Sequence, residues 1–327
     1  MSKKINIGVL GCANIAKTHL IPNLLNLNSH YNLVGIASRT EKKAKNFAKM
    51  FDTKCFFEYD DLLDIKHLDA VYIPLPNSLH YEWIKKSLNK GIHVLVEKSL
   101  SCSYKEVLEL NNIAKEKKLV LIENFQFRFH KQLEYIRKIL KTGKIGDLRN
   151  IKSSFGFPPF GDRENIRYKN ELGGGALLDA GAYPIKISQI FLGDDISVMA
   201  SSLSFDKDKG VDIWGSAYLK QNNGCLSSEI SFGFDNYYQN NYQIWCTRGV
   251  IRVNRAFSIP PNQVPQLSIE MQNKHIEKEL EPCDQFERQI AFFVKGLKKI
   301  KTKEMWYKDI AAQSEILHKI IKNKENV

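Results

Sequence analysis

Apolar residues in the first third of the chain form short continuous runs, which are separated by segments with helical spacing. Runs of this length without polar alternation are typical of strands that are covered on both faces. Strict alternation of such strands with helices predicts a parallel, doubly wound sheet of the α/β class. The predicted strands are 5–11, 32–38, 55–59, 69–76, 93–99 and 119–125.

The pattern changes after about residue 125, where apolar and polar residues alternate one by one. This alternation predicts an α+β region with an open, mainly antiparallel sheet that has one covered face. Two amphipathic segments near the end, 284–299 and 308–323, predict helices. We therefore expect two domains, 1–125 and 126–327. The main alternating segments are 197–205, 212–220, 224–234, 237–248, 249–257 and 266–272.

Composition and charge fit a soluble globular protein. Of the 327 residues 43% are hydrophobic and 26% are charged, and no apolar run is long enough for a membrane-spanning helix. The net charge of +12 comes from 48 basic and 36 acidic residues. The basic residues are spread along the chain, which favours a solvated surface over nucleic-acid binding. The densest basic run, Lys298–Lys303, is interpreted as a helix end and a loop.

The six cysteines are scattered without metal-ligand spacing, which argues against a zinc site and against a disulfide scaffold. The amino-terminal stretch superficially resembles a secretory signal, but Asn6, Gly8 and Gly11 interrupt its apolar part. We therefore expect a cytoplasmic protein with reduced thiols and no bound metal.

A glycine-containing turn follows the first predicted strand and precedes a helix. The turn has the form G-x-G-x-x-A, with Ala13 in place of the middle glycine. Such a turn lets the helix N-terminus face a pyrophosphate, so the first domain is predicted to bind a dinucleotide. The residues expected to contact the cofactor here are Gly11, Cys12, Ala13, Asn14 and Ile15.

The end of the second predicted strand bears on the choice of cofactor. An acidic residue there would bind the ribose 2′-hydroxyl of NAD. This strand ends instead in Ser38, Arg39 and Thr40, with Lys42 and Lys43 close behind. A hydroxyl and a guanidinium suit a 2′-phosphate, so NADP(H) is favoured over NAD(H).

Two further strands end in polar residues, and ligands of such sheets bind at the carboxyl ends of the strands. Glu97 and Lys98 lie at the end of one of them, the predicted strand 93–99. A lone lysine at a strand end is more often a surface charge than a catalyst, so Lys98 stays open at this point. The other strand is followed by Pro74, Leu75, Asn77 and His80.

The stretch GGGALLDAGAYP (173–184) combines three glycines with a helical pattern. Its glycines indicate a turn or a close backbone approach. Asp179 and Tyr183 are four residues apart, so a helix would place both on one face. A carboxylate and a phenol on an apolar face need either protein partners or a ligand.

These motifs, in this order, resemble the glucose–fructose oxidoreductase, inositol dehydrogenase and rhizopine-catabolism family of NAD(P)-dependent oxidoreductases. The resemblance also includes the segment 71–80 and the triplet Arg128-Phe129-His130. It implies a Rossmann domain followed by a substrate-binding and oligomerisation domain. It adds Arg128 to the residues of the cofactor site. The stretches 155–160 and 228–260 look most like the sugar-nucleotide C-3 ketoreductases of deoxysugar biosynthesis.

The resemblance implies that Tyr183 lies against Lys98 and the nicotinamide. Tyr183 would then protonate the alkoxide formed from a ketone, and Lys98 would stabilise its charge. Asp179 would orient substrate hydroxyls or Lys98, and the glycines 173–175 would let the backbone approach the substrate. The chain departs from the family in Ser99, which replaces a proline, and in Tyr183, where many members have histidine. Tyrosine, with a reference pKa of about 10, suits ketone reduction better than alcohol oxidation.

We therefore expect an enzyme that reduces a keto group of a nucleotide-linked hexose, at C-3, with NADPH. The alternatives are an NADP-dependent dehydrogenase of a free sugar or trans-dihydrodiol, and a nucleotide-binding regulatory protein without turnover. We expect a homodimer or homotetramer that binds neither nucleic acid nor membrane. The aromatic residues Phe232, Phe234, Tyr237 and Tyr238 are interpreted either as a platform for a nucleotide base or as sheet core.

Overall fold

The computed structural model describes residues 4–162, 164–297 and 300–326, and the chain divides into two compact units. The first unit contains the residues up to Asn124 together with Phe286–Ala311, and the second contains Phe125–Gln285 and the residues from Ala312 onward. The chain passes from one unit to the other next to the expected boundary. Residues 286–311 were expected in the second domain, and that part of the division is wrong. Lys298 and Lys299 of the basic run lie outside the described residues.

The first unit is built on a six-stranded sheet whose strand pairs are all parallel, in the order β3-β2-β1-β4-β5-β6. This order reverses between β1 and β4, which is the switch point where dinucleotides bind in such folds. The predicted doubly wound sheet is confirmed. The strands are β1 Ile5–Leu10, β2 Tyr31–Ala37, β3 Cys55–Phe56, β4 Ala70–Ile73, β5 His93–Glu97 and β6 Leu121–Asn124.

The third strand is shorter than its apolar run suggested, because Tyr59 begins a helix and its side chain is buried in the core. A π-helical turn, Ala16–Leu20, precedes the first α-helix. The helices of the region up to Asn124 are α1 Ile21–Asn26, α2 Glu41–Met50, α3 Tyr59–Leu63, α4 Asn77–Asn89 and α5 Tyr104–Glu116.

The second unit carries a nine-stranded, mainly antiparallel sheet, in the order β14-β13-β12-β11-β7-β10-β9-β8-β15. The predicted open sheet is confirmed. Two strand pairs are parallel, β7 with β10 and β8 with β15. The strands are β7 Leu148–Gly156, β8 Ile196–Phe205, β9 Asp212–Gln221, β10 Ser227–Gly233, β11 Gln239–Cys246, β12 Gly249–Asn254, β13 Gln266–Met271, β14 Lys274–Glu279 and β15 Lys324–Asn326.

One face of this sheet is covered by helices, and the alternation along each strand follows from that. In β11 every second residue is buried, from Asn240 to Cys246, and Trp245 between them is 54% exposed. The last helix begins at Ile300 and not at residue 308, so it is longer than its pattern predicted. The remaining helices are α6 Lys131–Lys141, α7 Ala182–Leu192, α8 Gln285–Leu297 and α9 Ile300–Lys322.

Candidate active site

The turn after β1 has the conformation that a dinucleotide-binding loop requires. Gly11 has φ +123°, and a Cβ atom built on it would lie 2.8 Å from Cδ2 of Leu75. A side chain at this position would therefore be strained and would collide with the loop after β4. The helical ladder starts directly afterwards, since the amide of Lys17 donates to the carbonyl of Ala13 at 3.2 Å. A bare backbone turn thus meets a helix N-terminus at the switch point of the sheet.

Basic and hydroxyl groups surround the end of β2. Ser38 is 6% exposed, and its hydroxyl accepts from the amide of Thr40 at 3.3 Å. Burial raises the pKa of the Cys12 thiol, and this effect is opposed by a hydrogen bond with Ser38 and by the charge of Lys43. Arg39 is exposed and lies close enough to Tyr59 to oppose the rise that burial causes in the pKa of that phenol.

His80 joins two loops of the first unit and has no exposed surface. Its Nδ1 lies 2.8 Å from the carbonyl oxygen of Ser99, and its Nε2 lies 2.8 Å from that of Leu75. A neutral ring donates to only one carbonyl, so these contacts favour a proton on both nitrogens. Burial opposes that charge more strongly and, with the nearby charge of Lys98, lowers the pKa of His80 to about 4. His80 therefore connects the loop after β4 to the loop after β5.

The residues at the end of β5 are held in place from the neighbouring strands. Glu97 accepts a hydrogen bond from the hydroxyl of Tyr72 at 2.5 Å and another from the amide of Asn124. Burial raises the pKa of Glu97, and these two bonds act in the opposite direction. Lys98 follows at the carboxyl edge of the sheet and is partly exposed, and the peptide bond between Lys98 and Ser99 is cis.

In the second unit, Gly174 and Gly175 closely approach the chain's own backbone and side chains. A Cβ atom on Gly174 would lie 2.5 Å from the carbonyl oxygen of Arg167, and one on Gly175 would lie 2.2 Å from Oδ1 of Asp212. The amide of Gly175 donates to the carbonyl of Arg167 at 2.9 Å. The glycines thus let the Arg167 loop pack against the start of the following helix. The expected approach to a substrate stays a prediction.

This packing brings Arg167 to Asp179. The Nε of Arg167 donates to Oδ2 of Asp179 at 2.6 Å, and the guanidinium lies 4.9 Å from the ring centre of Phe160. Burial lowers the pKa of Arg167, but the charge of Asp179 and its hydrogen bond, with a smaller contribution from Tyr183, raise it overall. Arg167 was missed by sequence reasoning because its stretch, NIRYKN, is indistinguishable from a solvated loop. The glycines were the available signal, since a close approach needs a partner.

Tyr183 lies near the start of α7, directly after a π-helical turn, Leu177–Gly181, that contains Asp179. Such turns are frequent at functional sites, and this one alters the simple four-residue spacing of an α-helix. The phenol is 9% exposed. Its ring centre lies within 5.0–6.0 Å of the ring centres of Phe125, Phe127, Phe155 and Phe257. These four rings fix the orientation of the tyrosine.

Arg128 lies in a short 3₁₀ helix of the second unit, near enough to Arg137 to contribute to lowering the pKa of that arginine, an effect caused mainly by burial. Phe232 and Phe234 are 3% and 0% exposed, so they belong to the core and their interpretation as a base platform is wrong. Lys98 belongs to the first unit, whereas Tyr183 belongs to the second.

Other classes of site find no support in the described part of the chain. The six cysteines are free, and no three His, Cys, Asp or Glu side chains come together there in a metal-binding group. Among the same residues, no helix has the length and apolar character needed to cross a membrane.

Comparison with known proteins establishes the family. Residues 5–125 match the model of an oxidoreductase family with an NAD-binding Rossmann fold, and residues 133–252 match the GFO/IDH/MocA C-terminal domain. The chain therefore belongs to the GFO/IDH/MocA family of oxidoreductases, as its motifs predicted.

Similar proteins indicate a particular class of oxidoreductase within this family. The dTDP-3,4-didehydro-2,6-dideoxy-α-D-glucose 3-reductase of Saccharopolyspora spinosa is 37% identical over 91% of this chain and 89% of its own length. The enzyme of the same name from Actinomadura kijaniata is 36% identical, over 96% and 93%. The crystal structure of a 3-ketoreductase from Actinomadura kijaniata with NADP and TDP-benzene matches with a TM-score of 0.94 at 34% identity, covering 99% of both chains. This chain is thus similar to sugar-nucleotide 3-ketoreductases over nearly its whole length.

Proposed function

We propose that the protein is an NADPH-dependent reductase of the C-3 ketone of a nucleotide-linked deoxyhexose. The observation that carries the proposal is the likeness, over 99% of both chains, to a 3-ketoreductase bound to NADP and TDP-benzene. A tyrosine as candidate proton donor is a second support, because a phenol suits reduction better than oxidation.

The first unit fits NADP(H). Gly11 has no side chain and packs closely against the loop after β4, and the turn leads directly into a helix N-terminus, which is suited to a pyrophosphate. Ser38 and Arg39, with Lys43 nearby, are suited to a 2′-phosphate. When bound, the reduced cofactor supplies a hydride to the ketone carbon. Beyond the Gly11–Ile15 turn and Ser38–Thr40, the residues proposed to line the cofactor site are Pro74, Leu75, Asn77, Glu97, Lys98 and Arg128, with His80 positioning their loops.

Tyr183 is the proposed proton donor to the carbonyl oxygen. Its ring is held by four phenylalanines, so little rotational freedom is lost when the substrate binds. Lys98 is proposed to stabilise negative charge on the same oxygen and to ease loss of the phenolic proton. Asp179, held by Arg167, is proposed to orient the sugar by accepting hydrogen bonds from its hydroxyls.

We also propose a homodimer or homotetramer, formed through the open face of the nine-stranded sheet. Three aromatic side chains on this sheet, Trp214, Tyr218 and Trp245, are 42%, 41% and 54% exposed. Large exposed apolar patches mark interaction sites, and we propose that these side chains contribute to one. Light scattering should show an assembly that Trp245→Glu weakens. A 37.6 kDa monomer of the unsubstituted protein at micromolar concentration would contradict the proposal.

The function is tested with two substrate panels. NADPH oxidation is followed with keto-sugar nucleotides, and NADP reduction is followed with free sugars and trans-dihydrodiols. We expect turnover only in the first panel. Turnover of free xylose or glucose, with none of any sugar nucleotide, would replace the proposal with the free-sugar dehydrogenase.

A further inference from the structure

Arg255 is a partly exposed arginine that lies two residues before Phe257, whose ring packs against Tyr183. The Nη1 of Arg255 donates to the hydroxyl of Tyr238 at 2.6 Å, and its guanidinium carbon lies 5.4 Å from the centre of the same ring. Within the described residues, no carboxylate lies within ion-pair distance of Arg255. The cation is therefore oriented by an aromatic neighbour, while its charge is left uncompensated by a salt bridge.

The backbone beneath this side chain is fixed from two directions. Arg255 has φ +64°, a conformation that costs energy for a residue with a side chain and needs support from its surroundings. Gln132, which is 1% exposed, donates to the carbonyl of Ala256 at 3.0 Å. Asn240 is 4% exposed and accepts two hydrogen bonds from the turn. Its backbone carbonyl accepts from the amide of Ala256 at 2.9 Å, and its side-chain oxygen accepts from the amide of Phe257 at 2.8 Å. The buried residues Gln132 and Asn240 thus hold the turn that presents Arg255.

The same turn connects the arginine to the tyrosine of the candidate active site. The ring centre of Phe257 lies 5.6 Å from that of Tyr183. Asn240 is one of the residues of β11 that face the helix-covered side of the sheet, and its side-chain amide donates to the hydroxyl of Tyr238 at 3.0 Å. Tyr238 and Arg255 therefore lie on the side of the sheet that carries Tyr183.

We propose that Arg255 and Tyr238 bind the diphosphate that links the nucleotide to the keto-sugar. This inference rests on the proposed function and names the part of the site that selects a nucleotide-linked substrate over a free sugar. A guanidinium offers a planar set of donors that matches phosphate oxygens, and the Tyr238 hydroxyl can turn its proton toward the same group. A hexose whose C-3 ketone is at Tyr183 carries its diphosphate on the anomeric carbon of the same ring, so the diphosphate must also bind on the side of the sheet that carries Tyr183.

The test compares Arg255→Met with Arg252→Met in the NADPH-loaded protein. Arg252 is the matched control, because it lies on the adjoining strand and pairs with Glu270. The probes are dTDP, thymidine and inorganic pyrophosphate, measured by calorimetry, and a keto-sugar nucleotide, measured by steady-state kinetics. We expect Arg255→Met to weaken dTDP binding and to raise KM by about 10- to 100-fold, the loss typical of one charged hydrogen-bonding partner. We expect kcat to change little.

Arg252→Met should bind dTDP like the unsubstituted protein, and Arg255→Lys should lie between the two. Thymidine, which lacks phosphate, should bind equally to all variants. Unchanged dTDP affinity in a folded Arg255→Met protein would overturn the inference while leaving the proposed function intact. Turnover of free sugars without any binding of dTDP to the unsubstituted protein would instead overturn the proposed function. If Arg255→Met loses affinity for dTDP and for pyrophosphate by the same factor, the result supports a phosphate contact. If it loses affinity for thymidine by that factor as well, the result contradicts the contact.

Discussion

Arg167 holds Asp179 through a hydrogen-bonded ion pair of 2.6 Å, at the π-helical turn directly before Tyr183. The pair depends on the triple glycine, because a side chain on Gly174 would push the Arg167 backbone away. The carboxylate is thereby fixed in orientation by the guanidinium.

Replacing Arg167 with methionine should lower kcat about 10- to 100-fold, because a misplaced carboxylate no longer orients the sugar. NADPH affinity should change less than about twofold, since Arg167 belongs to the other unit. Arg149→Met, which removes an exposed arginine of the same unit, is the control and should have normal kinetics. Steady-state kinetics and fluorescence titration with NADPH measure both quantities. Full activity in Arg167→Met would contradict the positioning role.

Tyr183→Phe should lose about 10²- to 10⁴-fold in kcat, the usual cost of removing a positioned acid. Its affinity for NADPH should stay nearly unchanged, because the hydroxyl acts on the substrate oxygen. Lys98→Ala should be at least as damaging. The aromatic surroundings of Tyr183 accept a phenylalanine ring without a cavity, so thermal stability should be preserved. A Tyr183→Phe protein with an undiminished rate would exclude this residue as the proton donor.

Cofactor choice depends on the end of β2. NADPH should bind more tightly than NADH, and Arg39→Asp should reverse the preference, because a carboxylate repels a 2′-phosphate and accepts from a 2′-hydroxyl. Titration of both cofactors against both proteins gives the four dissociation constants. Equal affinities of the unsubstituted protein for the two cofactors would show that Arg39 does not distinguish a 2′-phosphate from a 2′-hydroxyl.

His80 should make stability depend on pH. Its pKa is about 4 in the folded protein and about 6.5 when unfolded. Between these values the unfolded chain holds a proton that the folded chain lacks, so stability falls as the pH drops through this window. His93 behaves in the same direction, so His80→Asn is needed to separate the two. Urea unfolding gives the free energy of unfolding of the unsubstituted protein and of this variant. The difference between the two values should shrink by up to about 3 kcal/mol from pH 7 to pH 4. A difference that does not vary with pH would show that the proton is not excluded from His80.

The fold was largely predictable, because the first sheet consists of continuous apolar runs and the second of alternating ones. The errors arise where tertiary packing decides. Tyr59 enters a helix although its run resembles a strand, because its ring is buried against Trp83. Phe286–Ala311 packs in the first unit, and periodicity reveals an apolar face but not the surface that covers it.

Residues of the candidate site were predictable where they belong to a short sequence motif with a known local structure. Gly11, Asp179 and Tyr183 belong to such motifs. Arg167 and Arg255 do not, since each acquires its surroundings from residues distant in sequence, and an isolated arginine in a polar loop has no pattern of its own. Phe232 and Phe234 show the converse, because an aromatic run predicts a base platform and a sheet core equally well.

In the proposed reaction, a hydride from NADPH reaches C-3 of a sugar that is still attached to its nucleotide. The most direct measurement is a reaction with NADPH deuterated at the transferable position of the nicotinamide, using a dTDP-linked 3-keto-2,6-dideoxyhexose as substrate. Mass spectrometry and proton NMR then locate the label in the product. We expect one deuterium, at C-3, in a product that retains its diphosphate. Label at another carbon, or no transfer to the nucleotide-linked sugar while a free sugar is turned over, would contradict it.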